Sequence, residues 1–554
     1  MTDPSTDGPP PIRSFFTADR WLEIALLAIA ALFLLLHGLH LRADFPNRSP
    51  WMDWSKYTDE GWYGDAAIRH FQRGHWYVPG DFNPAAALPV WPLAESAVFR
   101  FTGVNIVAAR SLSVATFALI VLGAYLLLRR SSRLASAQDE RNFTLAPAIA
   151  ALLLAVSPFC YAFSRLAILE PMLILLTVFA LLAASYLSPR NTTTALRYWI
   201  HTIALGLLLP LMVLTKTTAL FLFPCVAWMA FARSGYRPRQ FFRTVAPALT
   251  IGVVIWLAYY GFVVRPRFLE DYRYLFSANA YTGITSDNAL SVLQDTFTDG
   301  TWVGKLLYPL ALAAIGITLF MQQRLMRNPL VPSLLLWTAG YTSFLAYHNN
   351  LQPRYYLVVA VPLTLLVAIV FESLWNRRNI TAPLHHFAGT AAAIALIAVI
   401  TSDARQTLHY VRHPEYTFAD AAQRIHQIVS SDRTHNPLVL SISGSDLSLM
   451  TGLPSICDDF GTMELEDRVR AYQPGWYIAW NQVDDDKMDA LTPIYHLNRV
   501  AAFPAMDDPE RNLLILYRLD PPTPATPRRR RPRPVPRLLE TDFGQQPTVS
   551  QLQH

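Results

Sequence analysis

Cysteine is scarce in this chain. Cys160, Cys225 and Cys457 are the only three in 554 residues, and their wide separation excludes a disulfide framework and a cysteine-based zinc site. Charge is scarce too, at 16% of residues against 52% hydrophobic. The first apolar block, Trp21–Leu41, lacks a small-residue cleavage site after it and exceeds the length of a secretion signal's apolar core, so it reads as a retained span. Internal repetition of the apolar blocks is also missing, which weighs against the repeat architecture common among transporters.

What the chain has in abundance is apolar segments of membrane-spanning length, about 18–22 residues each. Mean hydropathy is +0.24. This pattern predicts a polytopic α-helical membrane protein, with about eleven spans. They are expected near 21–41, 104–128, 143–159, 169–187, 199–214, 217–232, 244–264, 304–321, 330–347, 355–374 and 387–402. The net charge of +6 resides largely in loop arginines and an arginine-rich tail, so it speaks for membrane orientation and not for nucleic acid. Arginine is roughly twice as dense on one set of alternate loops, which predicts a cytoplasmic N-terminus. An odd number of spans then puts the C-terminal region outside.

Two of the outside loops are long, Arg42 to about Leu88 and Arg265 to about Gly304. In the first, GWYGDAAIRHFQRGHWY has the spacing of an amphipathic helix. Trp62, Ala66, Ile68, Phe71 and Trp76 are expected on the membrane surface, with Arg69 and Arg73 reaching headgroups. LPVWPLAESAVFRF (Leu88–Phe101) is too short to span and predicts a second interfacial or re-entrant helix. Beyond residue 402 the composition changes. Helical spacing over Tyr416–Ser431 and strand-like PLVLSIS, GWYIAW and NLLILYRL predict a small soluble α/β domain over 403–520. The flanks are a short N-terminus (1–20) and a disordered Pro/Arg-rich tail (521–554).

Candidate chemistry gathers at the outer ends of the spans. Asp59 and Glu60 open the amphipathic stretch, where a carboxylate can serve as general base for an acceptor hydroxyl or amine. Solvated surface acids are the bland alternative. Glu170 precedes Pro171 at a predicted helix start; the helix dipole favours an acid there, yet at a membrane boundary it needs pairing or water. Arg165, in the preceding loop, is the expected partner. Lys216, in LMVLTKTTALFLF, is either a snorkelling lysine or a cation aimed at a lipid-linked phosphate. His348, Arg354, Tyr355 and Tyr356 lie in YHNNLQPRYYLVVAVP; they are interfacial anchors, or Arg354 grips a phosphate with forked hydrogen bonds. DDFG (Asp458–Gly461) and VDDDK (Val483–Lys487) read as solvated turns and not as a metal site.

With these pieces in view the chain resembles the GT-C superfamily of polyprenyl-phosphate-sugar-dependent glycosyltransferases. It looks most similar to the bacterial relatives of protein O-mannosyltransferase and of the lipid A aminoarabinose transferase. The resemblance rests on TDEGWYGDAAIRHFQRGHWYVPGDFNP, GVNIVAARSLSVATFALIVLGAYLLLRR, SRLAILEPMLILL, LTKTTALFLFP and QPRYYLVVAVP, in family order. It implies an inverting glycosyltransferase in the bacterial inner membrane. The sugar moves from a polyprenyl-phosphate carrier to a lipid, glycan or protein acceptor. It also implies Asp59 as base, Glu60 and Glu170 as supporting acids, and Lys216, Arg354, Arg165 and Tyr355 around the donor phosphate. No cofactor is required, and no residues indicate a divalent metal. The segment FNPAAALP departs from relatives that carry an acid and a lysine there, removing support for a metal site or for the aminoarabinose acceptor. Two alternatives stay open: a multispan lipid or sugar transporter or flippase, and a glycan ligase or polymerase using a pyrophosphate-linked donor.

Overall fold

A computed structural model describes residues 18–135, 144–187, 194–278, 283–348, 352–377, 383–509 and 511–522; the expected N-terminal segment up to residue 17 and the tail from 523 lie outside them. The chain is a bundle of apolar helices with a small sheet region at one end. In chain order, α1 is Ala18–His37, α2 is Asp59–Arg73, α3 is Val90–Thr102 and α4 is Ile106–Ala135. They are followed by α5 (Ala146–Val156), α6 (Pro158–Ser164), α7 (Leu169–Tyr186) and α8 (Ala195–Thr215). Among the described residues, seven helices are long and apolar enough to cross a membrane, or nine if two bent pairs each count as one span. Eleven were expected. The segment at 217–232 folds instead as a shorter apolar helical stretch, Thr217–Arg233. The helix Leu330–His348 is present but is not among the seven, because Tyr, Thr, Ser and Trp dilute its apolar residues.

Local signals explain several boundaries. Gly74 ends α2 in a left-handed conformation (φ 77°), its N–H donating to His70 O, the geometry glycine adopts without penalty. Ser157 caps α6 by accepting from Cys160 N, with Pro158 next in the first turn. Between them, the break from α5 to α6 bends the pair by 65°. Lys216 stops α8 by turning extended, φ −157° and ψ 128°.

The sheet has order β2-β1-β3-β5-β4, with β1 Val439–Leu440, β2 Ser455–Ile456, β3 Trp476–Trp480, β4 His496–Asp508 and β5 Arg511–Asp520. β1 pairs in parallel with β2 and β3, whereas β5 runs antiparallel to β3 and β4. All five residues of β3 are buried, as befits a strand covered on both faces. The sequence pattern finds β1, β3 and β5. It misses β2, which is two residues long, and β4, whose polar run with Pro504 pairs through register shifts. The last apolar helix runs on from Pro383 to Arg412, past the expected boundary at 402.

The first-loop helix corrects the sequence reading most. α2 does not lie on a lipid surface with its arginines out. Ala66, Ala67 and Ile68 are buried against Trp91, Phe99 and Leu449. Arg69, also buried, pairs with Asp65 at 2.7 Å and Asp81 at 2.5 Å. Arg73 donates to Ser455 O of β2 at 3.0 Å. The charges pair inward because the sheet region covers the face that the amphipathic pattern assigns to solvent and headgroups. α3 forms as the short helix expected over this stretch, with Leu93 and Phe101 exposed.

Candidate active site

Four chain segments meet at the end of the bundle beneath the sheet region: residues 53–59, the start of α7, the end of α8 and the turn Pro353–Tyr356. The first is the loop ahead of α2. Asp53 there accepts from Ser55 N at 2.9 Å and caps the short turn Pro353–Tyr356 by accepting from Arg354 N at 2.8 Å. Its Oδ1 also takes Arg354 Nη1 at 2.5 Å. Asp53 is thus fully engaged with Arg354, by backbone and side chain.

Asp59, the first residue of α2, faces the same guanidinium. Its Oδ2 lies 3.0 Å from Arg354 Nε, but the two atoms are too poorly aligned for a hydrogen bond and neither has another partner among the described residues. Oδ1 accepts from Thr58 Oγ1 at 3.1 Å. Asp59 is 2% exposed. Burial pushes its carboxyl above the usual range; Arg354 opposes that shift, and the neighbouring charges of Asp53 and Glu170 add to it.

The start of α7 and the end of α8 bring Glu170 and Lys216 together. Glu170 stands in the first turn of α7 and is fully buried. It pairs with the Lys216 ammonium, at the end of α8. Its second oxygen has no partner among the described residues. Tyr355 joins the pairs: Lys216 Nζ stands 4.3 Å from its ring centre and Arg354 Cζ 4.6 Å, within reach of a cation–π attraction. Arg354 Nη2 donates to the Tyr355 hydroxyl at 3.2 Å. With every group ionised, three carboxylates (Asp53, Asp59, Glu170) face two cations (Arg354, Lys216), a net charge of −1 from 2 − 3.

Glu60 and Arg165 stand outside this cluster. Glu60 turns away from Asp59 and holds Arg110 of α4 through two contacts of 2.8 and 2.5 Å, while its Oε1 accepts from Ala167 N at 2.9 Å. Arg110 spends its remaining donors on Leu41 O and Ala43 O. Arg165 is not the partner of Glu170; it binds the Tyr161 hydroxyl and the carbonyls of Leu39 and His40.

Asp53 and Arg110 escaped the sequence reading. An arginine inside the apolar run NIVAARSLSV is a signal in itself, because a buried charge in such a helix demands a partner. Asp53 carries no comparable mark. Among the described residues, no three His, Cys, Asp or Glu side chains are grouped so as to hold a metal ion.

Beside this cluster opens an apolar groove of about 400 Å³, walled by Leu209, Val213, Leu214, Val253, Trp256 and Phe276, among others, and by Thr217, the residue after Lys216.

Apolar helices thus carry a buried acid–base cluster at one end, under a small α/β region. Residues 88–264 match the family PMT, dolichyl-phosphate-mannose-protein mannosyltransferase. Among solved structures, ArnT from Cupriavidus metallidurans bound to undecaprenyl phosphate matches with TM-score 0.58 at 13% identity, over 90% of this chain and 98% of that one. The Archaeoglobus fulgidus oligosaccharyltransferase in its apo form matches with TM-score 0.52 at 14% identity, over 83% and 70%. AglB of the same organism, in complex with an inhibitory peptide and a dolichol-phosphate, gives 0.50 at 14%, over 89% and 74%. No curated protein sequence matches the chain. The chain is thus similar over residues 88–264 to a mannosyltransferase family, and it shares its fold with ArnT and with the Archaeoglobus fulgidus oligosaccharyltransferase.

Proposed function

We propose that this protein transfers a single sugar from a polyprenyl-phosphate carrier to an acceptor at the outer face of the bacterial inner membrane, with inversion at the anomeric carbon. The observation that carries this reading is a buried carboxylate, Asp59, beside Arg354, which shares Tyr355 with Lys216, whose neighbour Thr217 lines an apolar groove. A chain of isoprene units suits that groove by chemistry. The relatives in hand bind undecaprenyl phosphate and dolichol-phosphate. Arginine bias supports a cytoplasmic N-terminus and an outward-facing site.

The reaction is one displacement. Asp59 takes the proton of the acceptor hydroxyl or amine as that atom bonds to the anomeric carbon. The bond from the anomeric carbon to the phosphate oxygen breaks, and the electron pair leaves with the phosphate. Lys216 and Arg354 stabilise the charge that develops there. Asp53 holds Arg354 in place, and Glu170 does the same for Lys216. The phosphate competes with both acids for the cations, so the resting pairs keep the site from attracting other anions. This chemistry calls for no metal, and transfer is expected to survive chelation by EDTA.

The test is transfer from tritiated polyprenyl-phosphate mannose, the sugar named by the matching family, into bacterial envelope membranes that hold the endogenous acceptors. Other polyprenyl-phosphate sugars follow if mannose fails. Label transferred by wild type and not by Asp59→Asn supports the reading. Transfer from a pyrophosphate-linked glycan alone replaces it with a ligase, and movement of the intact lipid-linked sugar without transfer replaces it with a flippase.

A further inference from the structure

The helix that presents Asp59 begins without a cap of its own. Thr58 occupies the cap position of α2 but makes no capping bond. Its hydroxyl donates instead to Trp54 O and Asp59 Oδ1, both at 3.1 Å. The first-turn N–H groups of a helix need acceptors, and a side-chain oxygen at the cap normally takes the N–H of the second or third residue. Gly61 is the third residue of α2, and its N–H donates to Asp446 Oδ1. Asp446 lies 385 residues away, in the helix Gly444–Thr451 of the sheet region.

Asp446 does not act alone. Trp62 Nε1 donates to Ile442 O at 3.0 Å, Ser445 Oγ to Asp65 Oδ1 at 2.9 Å, and Arg73 Nη2 to Ser455 O at 3.0 Å. One stretch of the sheet region, 442–455, therefore fastens α2 along its length, and the fastening nearest Asp59 is Asp446. Contact there is so close that a Cβ on Gly61 would fall 2.6 Å from Ser445 O, nearer than atoms can sit without movement.

We infer that the C-terminal region is a clamp on the helix bearing the base, and that Asp446 is a positioning residue for Asp59, supplying in trans the cap that α2 lacks. The inference rests on the reading of Asp59 as base, but the clamp itself is measurable without turnover. Burial and the charge of Glu60 push the Asp446 carboxyl well above its usual range, against the pull of the Gly61 N–H, so a neutral amide is a close substitute for it. An alanine is not, because it leaves the Gly61 N–H buried and without an acceptor.

The experiment compares full-length wild type with Asp446→Asn, Asp446→Ala and Gly61→Ala, reading amide exchange across residues 59–66 and the kcat and donor KM of transfer from polyprenyl-phosphate mannose. Asp446→Ala is expected to speed exchange at the first turn of α2 by about tenfold and to lower kcat by ~100-fold, the scale of a small misplacement of a reacting group, with donor KM within about twofold of wild type. Asp446→Asn keeps slow exchange and most of the rate. If Asp446→Ala fails to fold, Gly61→Ala carries the test: alanine is the better helix former, yet here it is expected to lower kcat by pushing 445–446 off α2. Unchanged exchange in Asp446→Ala overturns the clamp. Faster exchange with unchanged kcat overturns the positioning role. Faster exchange in Asp446→Ala, with a wild type that transfers no sugar at all, upholds the clamp and overturns the glycosyltransferase reading instead.

Discussion

Arg354 stands 3.0 Å from Asp59 without the alignment of a hydrogen bond. The same guanidinium and its backbone N–H are both bonded to Asp53. One arginine thus serves two acids differently, giving directed bonds to Asp53 and meeting Asp59 Oδ2 by charge without one. A carboxylate oxygen without a directed bond can accept a proton; an acid held by three directed bonds serves as a bracket.

Asp59→Asn is expected to lower transfer by at least 100-fold, the lower end of what a general base contributes, with an unchanged melting temperature. Asp53→Asn removes the bracket and is expected to destabilise the protein as well as slow it. Rates paired with thermal unfolding of the purified chain separate the two.

The raised carboxyl of Asp59 sets the acid side of the pH profile. A base works only when ionised. Activity should therefore fall as the pH drops through a value above the usual carboxylate range, and stay full above it. Asp53 is a like charge that raises Asp59, so in whatever folded Asp53→Asn enzyme remains, the acid limb moves to lower pH. The profile of kcat/KM against pH for both enzymes checks the sign.

Glu60→Ala leaves the Arg110 guanidinium buried without its carboxylate. Breaking a buried pair from one side costs about 3–5 kcal/mol, so the expected result is a strong fall in thermal stability and in yield. The double variant Glu60→Leu/Arg110→Met, which removes both charges, should recover much of the loss. A double-mutant cycle in denaturant or heat reads the coupling.

Glu170 pairs with the Lys216 ammonium, which the proposed reaction assigns to the donor phosphate. Glu170→Gln is expected to tighten binding of polyprenyl phosphate, by about tenfold if the removed competition is worth 1.4 kcal/mol, and to slow release of that product. Lys216→Met should weaken the same binding and leave Glu170 buried and uncompensated. Calorimetry in detergent with polyprenyl phosphate measures both.

The groove is tested by filling it. Val253 lines it and is exposed; Val253→Trp is expected to raise KM for a long-chain donor by about tenfold while sparing a donor with only two isoprene units. A loss with both donors points instead to damage in the helix Pro238–Tyr259.

Much of the protein could be read from its sequence, because a bilayer imposes its thickness on every apolar run. Most of the long apolar helices, the short helix α3, the helix at 417 and three of the five strands follow from periodicity and length. So do the positions of Asp59, Glu170, Lys216 and Arg354 at loop–helix junctions, since charges in such a chain have few other places to be. What periodicity does not carry is pairing across distance. Nothing local distinguishes Glu60, bound to Arg110, from Asp59 one residue before it. Nothing local sends Lys216 and not Arg165 to Glu170, reveals Asp53 behind Arg354, or brings Asp446 to the start of α2. An amphipathic pattern states that a helix has two faces; only the folded chain decides what covers the polar one. In α2 the cover is the sheet region, and the buried charges had to find partners within the protein, Asp65 and Asp81 for Arg69 and Arg110 for Glu60, because water was no longer available to them.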